Sequence, residues 1–426
     1  MPFLFKKLSR VVTLAVGVAS AQLTQAQAGS PYQLPLELPY DYWFYAPATE
    51  YDAPDDYLTR QATTHNGQQV AKVLDPALKR LLQSGKLTSE QIKALEKFGD
   101  QLAQAPGGMG AALEQLAGSQ HADLAAATQS TTQHISNQLL SVLHTLPNDE
   151  DGHFWVQNLN SDGSLAKQNG NSGLKYGTQG LLLGVDWALD DVWRVGVMGA
   201  KSTTHLDVQR FSGELDSWHL GGYAVRQDGP LALRLGAFYS SHAGQNKRSI
   251  ELLDYKEQLK GKYSAQSQTL FSEVGYQLGS EAFSVEPFAG LGYQRYHRDS
   301  FKEQGGLAAL NVGTQTRQNL NSTFGLRLAS QYRFDNQMSL SPHLSASWHH
   351  LYGEVDSQVR QGFRQAPGLI NDFTISGTAL NRNSLGVQAG VDLTLSKQHT
   401  VALNYNGESG THSRSHGLTA KWAMSF

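Results

Sequence analysis

Histidines are the residues best suited to metal or acid–base chemistry in this chain, 15 of them among 426 residues with no cysteine. His349-His350 is the tightest pair. On a strand, however, adjacent side chains point to opposite faces and cannot share one ion. Gly99-Asp100 has the opening of a hydrolase nucleophile motif, but Gln101 stands where the serine would have to be. The run Asn169-Gly170-Asn171-Ser172-Gly173 is glycine-rich, and lacks the lysine and the strand-to-helix setting of a phosphate cradle. Neither G-x-S-x-G, nor a P-loop, nor H-E-x-x-H occurs. The expectation is no enzyme, with no catalytic residue, no metal ligand and no cofactor. The absence of cysteine also excludes disulfides and thiolate metal sites. A formal net charge of -3 speaks against nucleic acid, whose phosphates need a basic face.

What the chain does must then come from the elements that its residues build. Lys6, Lys7 and Arg10 precede a short apolar run from Val11 to Ala19, and Ala26-Gln27-Ala28 supplies a small-x-small cleavage site. Residues 1–28 therefore read as a signal peptide, with Ala26 and Ala28 the small residues at the cut. The apolar run is too short for a spanning helix, which needs roughly 20 residues. No later segment reaches that length. An exported chain of this kind is periplasmic, secreted or a barrel. Residues 29–59 are acidic and aromatic, contain no Lys or Arg, and carry prolines at 31, 35, 39, 47 and 54 that forbid a regular helix. They read as an extended tether, with a small adhesive segment around Tyr40 to Tyr57 as the alternative.

Helical spacing governs residues 60–148. Val70, Val73, Leu74, Leu78, Leu81 and Leu82 recur at intervals of three and four. Thr88 with Gln91 forms a capping box, and Pro106-Gly107-Gly108 breaks the chain. The last helix, about 125–146, sets Ile135, Leu139, Val142 and Leu143 among Gln133, Asn137 and Gln138. It is slim, polar-sided and without strong charge.

From 149 to 426 the period becomes two. Leu231, Leu233, Leu235, Ala237 and Tyr239 interleave with Ala232, Arg234, Gly236, Phe238 and Ser240, and the same contrast recurs over 283–294 and 385–395. Each strand thus has one apolar face and one mixed polar face. Tight turns at Asp190-Asp191, Asp228-Gly229, Gly279-Ser280-Glu281, Asp335-Asn336 and Ser396-Lys397-Gln398 alternate with long connections near 160–175, 204–213, 243–265, 298–315 and 354–379. Transmembrane barrels alternate in this way, and about twelve strands fit the span. Trp155, Trp187, Trp193, Trp218, Trp348 and Trp422 are expected in the aromatic girdle at the lipid interface. In the last strand Leu418, Ala420, Trp422, Met424 and Phe426 share a lipid-compatible face.

With these residues in view, the chain resembles the β-domain of autotransporters (type V secretion). The resemblance rests on Phe154-Trp155-Val156-Gln157, Gly180 to Trp187, Trp193 to Val197, Trp218 to Tyr223, Ser272 to Tyr276, Val285-Glu286-Pro287-Phe288-Ala289-Gly290-Leu291-Gly292-Tyr293 and Ser322 to Arg327. These run through residues 150–426 in the family's order, and 113–122 is similar to its helical linker. The resemblance implies an all-β transmembrane barrel of about twelve antiparallel strands, with one helix plugging the lumen. It implies that Arg234, Glu273, Glu286 and Arg327 line that lumen, pairing with one another or meeting helix or water. It further implies that the terminal strand, through Trp422, Met424 and Phe426, is read by the barrel-assembly machinery. Some family members cut themselves in the lumenal helix beside an asparagine, and Asn137 is the only one there. Outer-membrane lipid and periplasmic chaperones are the other expected partners, and the barrel is expected to be monomeric. The expected location is the outer membrane of a Gram-negative bacterium, with the long loops outside. A long passenger is usual in the family, whereas about thirty residues precede the linker here. The expected function is a translocator that exports or displays its own N-terminal segment. The alternatives are a plugged channel or structural barrel, and a surface adhesin.

Overall fold

The computed structural model describes residues 56–84, 87–146, 151–168, 172–252, 255–280, 282–334, 338–353 and 355–426. The segment read as a signal peptide, with Ala26 and Ala28, and most of the acidic aromatic segment lie outside the described residues. The strands of the barrel's first half are β1 (His153–Leu165), β2 (Leu174–Ala188), β3 (Trp193–Val208), β4 (Phe211–Asp228), β5 (Leu231–Leu252) and β6 (Tyr255–Tyr276). The second half is β7 (Phe283–Arg298), β8 (Gln315–Ser330), β9 (Ser339–Tyr352), β10 (Asn383–Thr394), β11 (His399–Gly410) and β12 (Ser413–Ser425). Each pairs antiparallel with its neighbours in sequence, and β12 pairs with β1 from His153↔Ser425 to Leu165↔Ser413. The sheet is closed, so no barrel strand is left as an unpaired edge.

Alternation decides which side chains meet lipid. Leu181, Trp187, Leu220, Leu270, Leu291, Phe324, Leu385, Leu418 and Phe426 are exposed on the outer wall, whereas Arg234, Phe238, Glu273 and Arg327 on intervening positions are buried inside. Among the described residues no helix is long and apolar enough to cross a membrane, and the crossing is made by strands. Trp155 departs from the expected girdle: it is 1% exposed and faces inward, because the odd residues of β1 face the lumen. Its indole N–H donates to the Tyr223 hydroxyl at 2.8 Å.

Turns and excursions separate the two barrel ends. At one end the Asp190 carboxylate accepts from the N–H groups of Val192 and Trp193 at 2.9 and 2.7 Å, closing the β2–β3 turn. Both barrel termini sit at this short-turn end, where Gly152 N–H donates to Phe426 O at 3.1 Å. At the other end, two of the expected loops are strand. β3 and β4 run on to Val208 and Phe211, and β5 and β6 pair continuously to Leu252↔Tyr255. Their outward faces there are polar, so these segments lack the apolar alternation that marks lipid-facing strands. Two further excursions, 298–315 and 354–379, donate strands 301–302, 310–312, 358–363 and 373–376 to a separate four-stranded sheet, and the fifth, between β1 and β2, is the short connection from Leu165 to Leu174.

Helices α1 (Tyr57–Gln61), α2 (His65–Gln83), α3 (Ser89–Ala103) and α4 (Gly108–Ala117) cover this long-loop end. The Thr88–Gln91 capping box forms as the sequence requires. Val70, Ala71, Leu74 and Leu81 of α2, Leu113 and Leu116 of α4, Ile250, Leu259 and Tyr263 of the long hairpin, and Phe301, Phe363 and Ile375 of the small sheet share one apolar core. Asn66 clamps helix to sheet: its side chain donates to Ser376 O and accepts from Ser376 N–H, both at 2.8 Å. Gly118 ends α4 in the left-handed region at φ 60°, where a Cβ would lie 2.9 Å from Leu310 Cδ1.

After that turn, α5 (Gln120–Leu143) enters the barrel. It starts five residues before the expected helix and ends three residues short of its expected end. Twenty-four residues at about 1.5 Å each give about 36 Å, enough to run the whole height of a hydrocarbon layer about 30 Å thick.

Candidate functional site

Two unlike faces of α5 define how the lumen is occupied. Ile135, Leu139, Val142 and Leu143 pack on Trp155, Leu159, Leu182, Met198, Phe238 and Phe271, so the helix leans on the wall made by β1 to β6. Gln133, Asn137, Leu140 and His144 face the opposite wall across a crevice of about 100 Å³, lined there by Thr323, Arg327, Ser347, Gln388, Asn406 and Glu408. A space that size holds a few waters and no second polypeptide.

Polar contacts satisfy the helix along its length. Ser130 shares a 2.5 Å hydrogen bond with the Tyr176 hydroxyl, and Thr131 meets Thr178 at 3.3 Å. Gln138 accepts from Gln157 and from the Thr419 hydroxyl at 3.2 Å, which ties the helix to the first and last strands together. Gln388 donates to Ser141 Oγ at 2.6 Å. Gln133 donates to Asn137 Oδ1 at 3.1 Å within the helix, so the two pair with each other at the crevice.

The four lumenal charges read from sequence come together in one cluster. Arg234 on β5 reaches Glu273 on β6 at 3.0 Å and Glu286 on β7 at 2.7 Å. Arg327 on β8 reaches Glu286 at 2.8 Å and Glu273 at 3.4 Å. Into this square comes His144, the C-cap of α5, with Nε2 at 2.8 Å from Glu273 Oε1 and 2.7 Å from Arg327 Nη2. The pairing across the wall and the contact to the helix are therefore both present. His144 was not read from sequence, since only the rotation of the helix inside the barrel aims it at Glu273.

Two further networks at the same end went unread. Asp186 is fully buried and meets Arg194 at 2.8 Å and His153 at 3.1 Å, while the Tyr223 hydroxyl donates to its other oxygen at 2.8 Å. Asp392 meets Lys421 at 3.3 Å and His343 at 3.2 Å, and Lys421 donates to the Thr145 hydroxyl at 2.5 Å. Strand parity alone places Asp186, Arg194, Asp392 and Lys421 inward, so the signal was in the sequence. Buried charges persist only when paired this fully.

At the opposite mouth, Arg248 binds Glu303 through two bonds of 3.0 and 2.6 Å and donates to Gln115 O at 2.7 Å, with His121 Nε2 at 3.1 Å from Glu303 Oε1. Burial pushes the Glu303 carboxyl up, and the Arg248 charge with His121 more than reverses this, holding it below the usual range. These bonds pin the entry of α5 to the long hairpin. No group of three or more His, Asp or Glu side chains arranged to hold a metal is found among the described residues. His349 meets the Thr323 and Ser347 hydroxyls inside, while His350 contacts Asn383 and the Tyr352 ring outside.

Trp422 and Phe426 are exposed on the outer wall, and Met424 stands on the same side of β12. The whole is a closed barrel of twelve long strands, threaded by a helix that begins at the long-loop mouth. The model of the autotransporter beta-domain matches residues 154–406. The chain belongs to the autotransporter β-domain family. It is a translocator barrel of the Gram-negative outer membrane. The autotransporter barrel is similar in fold to the translocator domain of autotransporter NalP from Neisseria meningitidis: TM-score 0.58 and 16% identity, covering 72% of this chain and 99% of that one. Two extracellular serine proteases of Serratia marcescens are 29% and 28% identical to it over 324 residues. In each case the alignment covers 74% of this chain and 31% of the protease, so the chain spans about a third of the length of these relatives.

Proposed function

We propose that this autotransporter barrel moves its own N-terminal segment through its lumen and holds it at the cell surface, with the long-loop end outward. The supporting observation is the direction of α5. Both barrel termini lie at the short-turn end, yet α5 begins at the long-loop mouth, where His121 Nδ1 meets Gln361 Oε1 at 3.1 Å, and reaches Glu273 and Arg327 at the turn end only at His144. Helices α1 to α4 are thereby at the opposite end of the barrel from His153. A chain inserted from the periplasm reaches that arrangement only by passing polypeptide through the bore. The barrel-assembly machinery, reading Trp422, Met424 and Phe426, and periplasmic chaperones are the partners such a route needs. The filled lumen and the sealed mouth fit a barrel at the end of transport, and fit a free channel poorly.

Protease treatment of intact cells, with an epitope placed after Ala28, tests this reading. Loss of the epitope while the barrel survives is the expected outcome. An epitope that stays protected until the cells are opened would contradict it.

A further inference from the structure

The β5–β6 hairpin carries a cationic face that the translocator reading leaves unused. On β5, Leu231 and Tyr239 are exposed on the outer wall, and alternation continues that face upward to Lys247, while Arg248 and Ile250 turn inward. On β6 the same face runs from Leu270 to Lys262 and Lys260, with Leu259 and Tyr263 inward. Lys247 stands directly opposite Lys260 in the ladder, and Lys262 opposite Gln245 is diagonal to Lys247. Lys302, also exposed, lies on the adjoining strand. Like charges placed opposite one another destabilise a strand pair. None of these four lysines forms an ion pair among the described residues, and Glu251 instead takes Lys256 at 3.8 Å and Arg210 at 3.9 Å. By register two carboxylates adjoin this patch: Glu214, across from Gln245, and Asp299, whose N–H donates to Ser264 O at 3.0 Å and whose carboxylate lies 3.4 Å from His297 Nε2.

Height selects the partner. The girdle on this side ends at Trp218, which lies opposite Ser241 and has Lys201 Nζ 5.3 Å above its ring. Lys262 and Lys247 sit four and six residues further up the ladder. At about 3.3 Å per residue and a tilt of about 40°, that is about 10 and 15 Å above the girdle. The headgroups of a phospholipid reach only about 5–8 Å beyond the hydrocarbon. The lysines stand at the level of the phosphorylated sugars of a glycolipid.

We propose that the outward face of the β5–β6 hairpin docks the phosphorylated saccharide of a membrane glycolipid, with Lys247, Lys260 and Lys262 as the anion contacts. The apolar wall below them takes its acyl chains, and Lys201 over Trp218 marks the boundary between the two. The site needs no particular orientation in the cell to be measured, so its failure and a failure of the export reading are separable.

The test is titration of the purified protein in non-ionic detergent with rough lipopolysaccharide, read by native mass spectrometry. The variants are K247Q/K260Q/K262Q and, as a control at the other barrel end, K397Q. Wild type and K397Q are expected to bind alike, the triple variant at least tenfold more weakly, and added salt to weaken wild type and K397Q but not the triple variant. Without glycolipid, the triple variant is expected to unfold at the same or a higher temperature than wild type, because it loses repulsion. Equal binding by the triple variant would overturn the proposal. So would equal binding of phosphatidylglycerol, or of the deacylated oligosaccharide, since either removes the need for an anchored sugar phosphate.

Discussion

Glu273 joins three lumenal partners, since Arg234, Arg327 and His144 all lie within 3.4 Å of its Oε1. Removing one partner of a buried charge cluster strands the others, at a cost of about 3–5 kcal/mol. Glu273→Gln is expected to lower the barrel's unfolding free energy by that order in a denaturant titration. Replacing Arg234 and Glu273 together by Met is expected to cost less than either single change, because Glu286 and Arg327 still balance each other. The parity of β5 to β8 made these four charges legible as lumenal. Their junction with His144 was not, because the phase of a helix inside a barrel is set by packing on Trp155 and Phe238 and by no local pattern. Glu114 behaves differently. Burial pushes its carboxyl up to about 7 while Ser119 and Thr64 hydroxyls donate to it. Its folded pKa exceeds its unfolded one, so its contribution is complete below about 4.5 and is lost as pH rises through about 7. Resistance of α1–α4 to limited proteolysis is expected to fall between pH 5 and pH 8, and Glu114→Gln to flatten that dependence.

The central helix is the element on which closure of the bore depends. Deleting residues 120–143 is expected to raise single-channel conductance several-fold in a planar bilayer, with correct assembly checked by heat-modifiable migration. Unchanged conductance would mean that something other than α5 fills the lumen. The slimness and polar flanks of this helix were readable from Gln133, Gln138 and the spacing of Ile135, Leu139 and Val142. Its earlier start at Gln120 was hidden by Gly118, which divides what reads as one helical region into α4 and α5. The long hairpin was misread as loop for a related reason. Above the girdle both its faces change: Lys247 and Lys262 replace Leu outside, while Arg248 and Asn246 stand among Ile250 and Tyr263 inside. Pattern reading detects a contrast between two solvents, and beyond the membrane that contrast is gone.

As a whole, the molecule is two packed layers on one axis: a lipid-embedded barrel with a helix in its bore, and a helix-and-sheet cap sealing the mouth. The alternation of short turns with long excursions was enough to give the barrel, its strand number and its two unlike ends. The cap was not legible, since its core joins α2, the β5–β6 hairpin and residues 301–376 across more than two hundred positions of sequence. What the layers imply together is that Lys93 on α3 and Lys397 in the β10–β11 turn lie on opposite sides of the membrane. The chain has no cysteine, so each can be replaced by one without background. Labelling of K93C and K397C on intact cells with a membrane-impermeant maleimide measures this directly. K93C is expected to label at once, and K397C only after the outer membrane is opened. The reverse order, or labelling of both or neither on intact cells, would contradict a chain threaded outward through its own barrel.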